Sequence, residues 1–327
     1  MSRLTGLLLA LLLLHGQALA QGTAQDLVQA VKDGADAARV AELIGHGADV
    51  NRGDARGRTA LMAAALQGKL DVAKLLLDKG AKVNARTQDD AAALMGAAMA
   101  GHADMAKLLL DQGADVNAHA RDGATALMLA SLGGHAEVVA LLLERKADVN
   151  AKSADGITAL VLAAMGDAPE VGRPLRDQGL QAATGKRTEV VQLLLAAGAD
   201  ANAGIEGATL LMIVSVKGSP EIARQLLAHG ADPNAQAPNG ATALMGAAVV
   251  GNGEAAGLLL DGGARIDTTG PEDGTALMIA AEKGHVEMVK LLLRRGADRN
   301  RKTAGGETAL DLARKNGHQA VVDLLKS

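Results

Sequence analysis

The four-residue phrase Thr-Ala-Leu-Met returns at a fixed interval, and that interval constrains the fold more than any other feature of the chain. It begins at Thr59, Thr125, Thr242 and Thr275. Altered copies begin at Ala92 (Ala-Ala-Leu-Met), Thr158 (Thr-Ala-Leu-Val), Thr209 (Thr-Leu-Leu-Met) and Thr308 (Thr-Ala-Leu-Asp). Successive starts lie 33, 33, 33, 51, 33, 33 and 33 residues apart. A strict period of this length marks a stacked-repeat architecture, in which each unit buries its apolar face only against its neighbours. The 327 residues are therefore expected to form one array, not the two globular domains that length alone suggests. Apolar residues make up 49%, and Phe, Trp and Tyr are absent. The core must then be built from Leu, Ala, Val, Ile and Met.

Residues 122–152 show how one unit is built. Asp122-Gly123 is a turn dipeptide whose glycine supplies positive φ. Thr125 is a good N-cap for a short helix over Ala126 to Leu132, which Gly133-Gly134 ends. A second helix is expected from about Ala136 to Arg145, with Val138, Val139, Leu141, Leu142 and Leu143 on a broad apolar side. Ala147-Asp148-Val149-Asn150 turns the chain back.

This string resembles the ankyrin repeat. That family's pattern runs Asp-Gly-x-Thr-Pro-Leu-His-x-Ala-Ala, then Gly-His, a Leu-Leu-Leu segment, and Gly-Ala-Asp-Val-Asn. Gly-Ala-Asp recurs here at Gly47, Gly113, Gly198, Gly230 and Gly296, and Gly-His at Gly101, Gly134, Gly284 and Gly317. The resemblance covers roughly residues 24–327. It implies an all-α repeat solenoid whose units each carry an inner helix, an outer helix and a projecting β-hairpin. Two departures stand out. The family's proline is Ala in most units, a better helix former without the preset φ. The family's histidine, which joins a network between units, is Met62, Met95, Met128, Met212, Met245 and Met278, so a packed thioether ladder is expected in place of a polar one.

Nine units can be counted. The first, Ala24–Asn51, carries Asp26-Leu27-Val28 where the phrase should stand. The last, Glu307–Ser327, has Asp311 in place of the ladder methionine. Both are atypical, as end units of a stack should be, because one face meets water. The 51-residue interval places a net 18 extra residues at about 166–187, between the inner and outer helices of one unit. Insertions in solenoids map to loops on one face; this one reads as a tolerated loop or as a partner-contacting element.

Chemistry-bearing residues mostly repeat in phase. His102, His135, His285 and His318 occupy the Gly-His position, where the resemblance implies a bond to local backbone. Asp49, Asp115, Asp148, Asp200, Asp232 and Asp298 recur as turn residues. No nucleophile, base and acid break the repeat together, so no catalytic triad is read. Methionine suits copper(I), but ladder side chains on successive helices stand about 8–10 Å apart, too far to share an ion. The stretch Gly179–Thr188 echoes a phosphate loop with the wrong glycine spacing, and Arg187 stands where a hydroxyl should bind magnesium. No cofactor and no metal is expected. A net charge of −4 and the lack of aromatic stacking platforms argue against nucleic acid.

Four residues after each ladder position the side chains are apolar: Leu66, Met99, Leu132, Met165, Val216 and Val249, with only Glu282 and Lys315 charged. As an exposed concave patch these would mark an interaction site, rimmed by Arg56, Arg58, Arg86 and Arg121 on nearby hairpins.

Residues 1–20 read as a cleaved export signal: basic Arg3, an unbroken Leu/Ala run over Leu7–Leu14, and Ala18-Leu19-Ala20 before Gln21. The run is too short for a comfortable membrane span. Cysteine is absent, which excludes disulfides, thiolate metal sites and a lipoprotein anchor. The expectation is a periplasmic or secreted monomer whose residues 21–327 form a non-catalytic module binding a protein partner through the concave face and hairpin tips, without membrane insertion once the signal is cleaved. Similarity to exported bacterial ankyrin proteins implies further roles: an immunity protein against a periplasmic toxin, or a protective partner of an oxidative-stress enzyme. An enzyme with its site in the 166–187 insertion is the reading of the opposite class.

Overall fold

The computed structural model of the protein describes residues 26–165, 187–217 and 219–326. The expected signal over 1–20 lies outside them, as does the 166–187 insertion except for Arg187. The chain divides into two compact units, Met1–Ala199 and Asp200–Ser327. The described residues hold five helix pairs in the first unit and four in the second. This is the all-α repeat solenoid expected. In the first unit the inner helices are Leu27–Lys32, Ala60–Gln67, Ala93–Ala100, Ala126–Gly133 and Ala159–Met165. In the second they are Leu210–Lys217, Ala243–Val250, Ala276–Lys283 and Ala309–Lys315. Each is followed by an outer helix, such as Ala136–Glu144 or Val286–Arg294. Within a unit, each inner helix packs on the next inner helix and on its own outer helix.

Local sequence explains the helix ends. The Thr125 hydroxyl accepts the Met128 N–H at 3.3 Å, and Thr242 and Thr275 repeat the bond with Met245 and Met278. Ala92 has no hydroxyl and makes no such cap. Gly68, Gly101, Gly134, Gly251 and Gly284 close the inner helices in the left-handed conformation that glycine adopts without strain. The ladder methionines Met62, Met95, Met128, Met212, Met245 and Met278 are all buried. The sulfurs of Met62 and Met278 also accept the N–H of Thr59 and Thr275 at 3.4 Å. At Asp311 a carboxylate takes over that role, accepting the Thr308 N–H at 3.0 Å and its hydroxyl at 2.7 Å.

The expected β-hairpins are mostly tight turns. Among the described residues only Gly204–Ile205 and Ala208–Thr209 pair as strands, with one further bridge between His119 and Thr125. The tips other than that strand pair are closed across four residues by a backbone bond, as from Thr87 to Ala91, Ala120 to Ala124 and Thr303 to Glu307. The in-phase acids do serve turns. Asp115, Asp148, Asp232 and Asp298 each accept the N–H two residues on, at 2.8–3.0 Å.

Two polar ladders tie neighbouring repeats together. The Asn117 side chain accepts the Asp148 N–H at 2.8 Å and donates to the Lys146 carbonyl at 3.4 Å. Asn51, Asn84, Asn202 and Asn234 make the equivalent pair of bonds. The second ladder corrects the expectation of a local histidine bond. Nε2 of His102 lies 3.2 Å from the Leu66 carbonyl, and His135, His285 and His318 reach those of Met99, Val249 and Glu282 at 2.8–3.1 Å. A carbonyl only accepts, so the ring nitrogen facing it carries the hydrogen.

Candidate functional site

The six apolar positions proposed as a concave patch do not share one environment. Met99 and Leu132 are each 1% exposed. They are core residues, not contact residues. The physical reason lies in their helices: Ala93–Ala100 carries only Ala, Leu, Met and Gly, and Ala126–Gly133 is buried at all eight positions. Each of these two helices packs against an inner helix on either side and against its own outer helix. Leu66 and Met165 are half-buried. A Cβ on Gly96 would sit 3.6 Å from the Leu66 Cβ, so that glycine forms the floor beneath Leu66.

In the second unit the same positions reach water. Val216 and Val249 are each 45% exposed, and Val250 beside them is 44% exposed. They lie on Leu210–Lys217 and Ala243–Val250, neighbouring inner helices that pack together. A Cβ on Gly246 would come within 2.9 Å of Val216 Cγ2, so the missing side chain lets Val216 lie across the adjacent helix. Sequence reasoning missed Val250. Its signal was available: the position before the closing glycine is apolar and β-branched here, where other units have Gln67, Ala100, Gly133 and Lys283. The two charged members, Glu282 and Lys315, pair with Lys283 at 3.4 Å and Glu307 at 3.0 Å.

The arginine rim also separates on inspection. Arg58 is structural: its Nε and Nη2 lie 2.8 and 2.7 Å from Asp54 Oδ2, which Lys32 Nζ also meets at 2.8 Å. Burial alone would raise the Asp54 carboxyl. Hydrogen bonds from Arg58 and Lys32, with the backbone N–H of Arg56 and Arg58, outweigh it and hold the group far below the usual carboxylate range. Arg56, half-buried, adds its own N–H to Asp54 at 3.0 Å. Arg86 donates to the carbonyls of Asp90 and His119 at 3.0 and 3.3 Å. Arg121, exposed, reaches the Gln88 carbonyl at 2.6 Å. Arg86 and Arg121 therefore staple adjacent turn tips while leaving guanidinium edges toward solvent.

One carboxyl at these tips behaves in the opposite sense to Asp54. Asp122 is pushed upward by burial, with the charges of Asp155 and Asp89 adding to the effect. Its Oδ1 accepts the Ala124 N–H at 3.0 Å, and its buried Oδ2 has no hydrogen-bond partner among the described residues. No group of three or more His, Asp or Glu among the described residues is placed to hold a metal ion. No described helix is long and apolar enough to cross a membrane.

A family model described as Ankyrin repeats (3 copies) matches residues 10–87, 27–120, 94–181 and 179–270. A second, Ankyrin repeats (many copies), matches residues 259–313. No curated protein matches the chain.

Proposed function

The chain belongs to the ankyrin repeat family, and from that premise we propose that it is a non-catalytic module, exported from the cytoplasm, that binds a protein partner. Ankyrin repeats generally mediate protein–protein interaction. One observation carries the choice of surface. Val216, Val249 and Val250 are the exposed large apolar side chains among the described residues, and they sit together on neighbouring inner helices. Exposed apolar clusters on an otherwise satisfied surface mark interaction sites. The second unit supplies them from packed helices, so little ordering entropy is lost on docking.

The test compares affinity capture from an extracytoplasmic extract by the wild type and by Val216→Asp/Val249→Asp. Proteins held by the wild type and lost by the variant are expected; identical capture rejects this surface. Export is tested by fractionation. The reading expects a shortened chain, processed after Ala20, outside the cytoplasm, and unprocessed chain confined to the cytoplasm rejects it.

A further inference from the structure

Repeats make functional exceptions visible, because a residue that breaks the phase is not there for the stack. The densest exceptions lie in the second unit between Lys283 and Lys302. This stretch holds seven basic residues and two acids, in a chain whose net charge is −4. Several of these charges invert the repeat. Arg294 stands where other units have Asp78, Asp111, Glu144 and Asp261. Arg299 stands where they have Val50, Val83, Val116, Val149 and Ile266. Arg265 stands where six units place the turn aspartate, a substitution shared only by Lys82. An arginine there cannot accept the N–H that Asp232 and Asp298 accept, so the exchange gives up a turn bond.

Internal pairing does not absorb these charges. Lys283, Lys290 and Arg295 pair with Glu282, Glu287 and Asp261. Arg265, Arg294, Arg299, Arg301 and Lys302 are exposed, and none forms an ion pair with a described carboxylate. Arg299 and Arg301 are held by backbone instead, donating to the carbonyls of Leu325 at 3.4 Å and Asp267 at 3.0 Å. The Asp298 N–H donates to Asp267 Oδ1 at 3.1 Å. These bonds draw the turn carrying Arg265 and the segment carrying Arg299, Arg301 and Lys302 together. A favourable interaction with the helix dipole accounts for Arg294, in the last turn of Val286–Arg294. It does not account for the other four, which lie outside the helices.

We propose that this edge of the second unit docks an acidic protein segment, a stretch of chain carrying several Asp or Glu side chains. Four of the five cations are arginines, whose planar forks pair with carboxylates in bidentate fashion. Phosphate polymers and anionic membranes are the competing polyanions. The chain lacks any aromatic residue to stack on bases or to anchor at a bilayer interface. Glu272 and Asp273 bound the edge on one side, where the Glu272 carbonyl accepts the Ala304 N–H at 2.9 Å. This acidic flank restricts the fit to a short segment. The edge is distinct from the valine cluster and extends the protein-binding reading to a second surface.

The experiment measures anisotropy of a short labelled peptide of Glu and Asp on the full chain at physiological ionic strength. Arg265→Glu/Arg294→Glu/Lys302→Glu is expected to weaken binding by about tenfold or more, since rim charge reversal acts directly on a screened surface field. None of these three side chains makes a hydrogen bond or ion pair with a described residue, so the circular dichroism spectrum should not change. If the triple reversal fails to fold, Arg294→Gln/Lys302→Gln is expected to weaken binding about threefold. Val216→Asp/Val249→Asp should bind the peptide as the wild type does, which separates this proposal from the preceding one. Four results overturn it. The wild type fails to bind the peptide, the charge variants bind it equally well, or Arg56→Glu/Arg121→Glu loses as much. Tighter binding of duplex DNA or of phosphatidylglycerol vesicles than of peptide overturns it as well.

Discussion

Asp54 and Leu132 show what a single residue contributes in this stack. Asp54, 15% exposed, meets Arg58 and Lys32. Its folded-state titration lies below the unfolded value of about 4, so it stabilises the fold above that pH and loses the contribution as pH falls through the folded value. Asp54→Asn should therefore lower stability at neutral pH by about 1–3 kcal/mol and flatten the acid limb of stability against pH. Denaturant melts at several pH values check this; an unchanged acid limb contradicts it. Leu132 makes a second residue-scale prediction because its 1% exposure leaves a charge there no access to water. Leu132→Asp should destabilise by several kcal/mol. Val249→Asp, at a position 45% exposed, should stay within about 0.5 kcal/mol of wild type. Equal effects of the two would remove the distinction between core and surface drawn along this row.

Between elements, the junction of inner and outer helix carries the coupling from one repeat to the next. His102, His135 and His285 occupy the N-cap positions of their outer helices yet make no capping bond. Each ring instead reaches back to the inner helix of the preceding repeat. Asn252 does both, accepting the Ala255 N–H at 3.1 Å and donating to the Ser215 carbonyl at 3.3 Å. The ring lies over the glycine that closes the previous inner helix. A Cβ on Gly101 would collide with His135, and Gly101 itself has φ 75°. Gly101→Ala should then cost more than the roughly 1–2 kcal/mol of left-handed strain alone. In a His135→Ala background the excess should vanish, leaving only the backbone term. A double-mutant cycle with zero coupling between the two positions would contradict the contact.

For the molecule as a whole, stability in stacked repeats is a sum of unit and nearest-neighbour terms. Met128, 2% exposed, lies in the fourth of the first unit's five repeats, with a repeat on either side. Met128→Ala should cost about 2–5 kcal/mol. Hydrogen exchange should show the loss in the helices from Ala93–Ala100 to Ala159–Met165, with less change in Leu27–Lys32 and Ala37–Gly45. Loss of protection spread evenly through the first unit would speak against nearest-neighbour coupling. The fold was largely legible at this scale: the 33-residue phase predicted nine helix pairs, and nine are present among the described residues. The exposure of the positions along the inner helices was not. The same phase that reveals the architecture assigns Leu66, Met99, Leu132, Met165, Val216 and Val249 to one class, although their exposures run from 1% to 45%.

What the chain dictates on its own is whatever contiguous residues encode. Thr125 caps the helix that follows it, Gly134 ends that helix, and the ladder methionines fall on the apolar side of a short periodic segment. Each of these depends on neighbours a few residues away. Water at Val249 but not at Leu132, a Lys32 brought to the Asp54 carboxylate beside Arg58, and a His135 ring on the Met99 carbonyl depend on partners brought together by folding. For the ladders those partners lie about one repeat length away in sequence. Burial and pairing are properties of surfaces in contact, so only the assembled stack decides them.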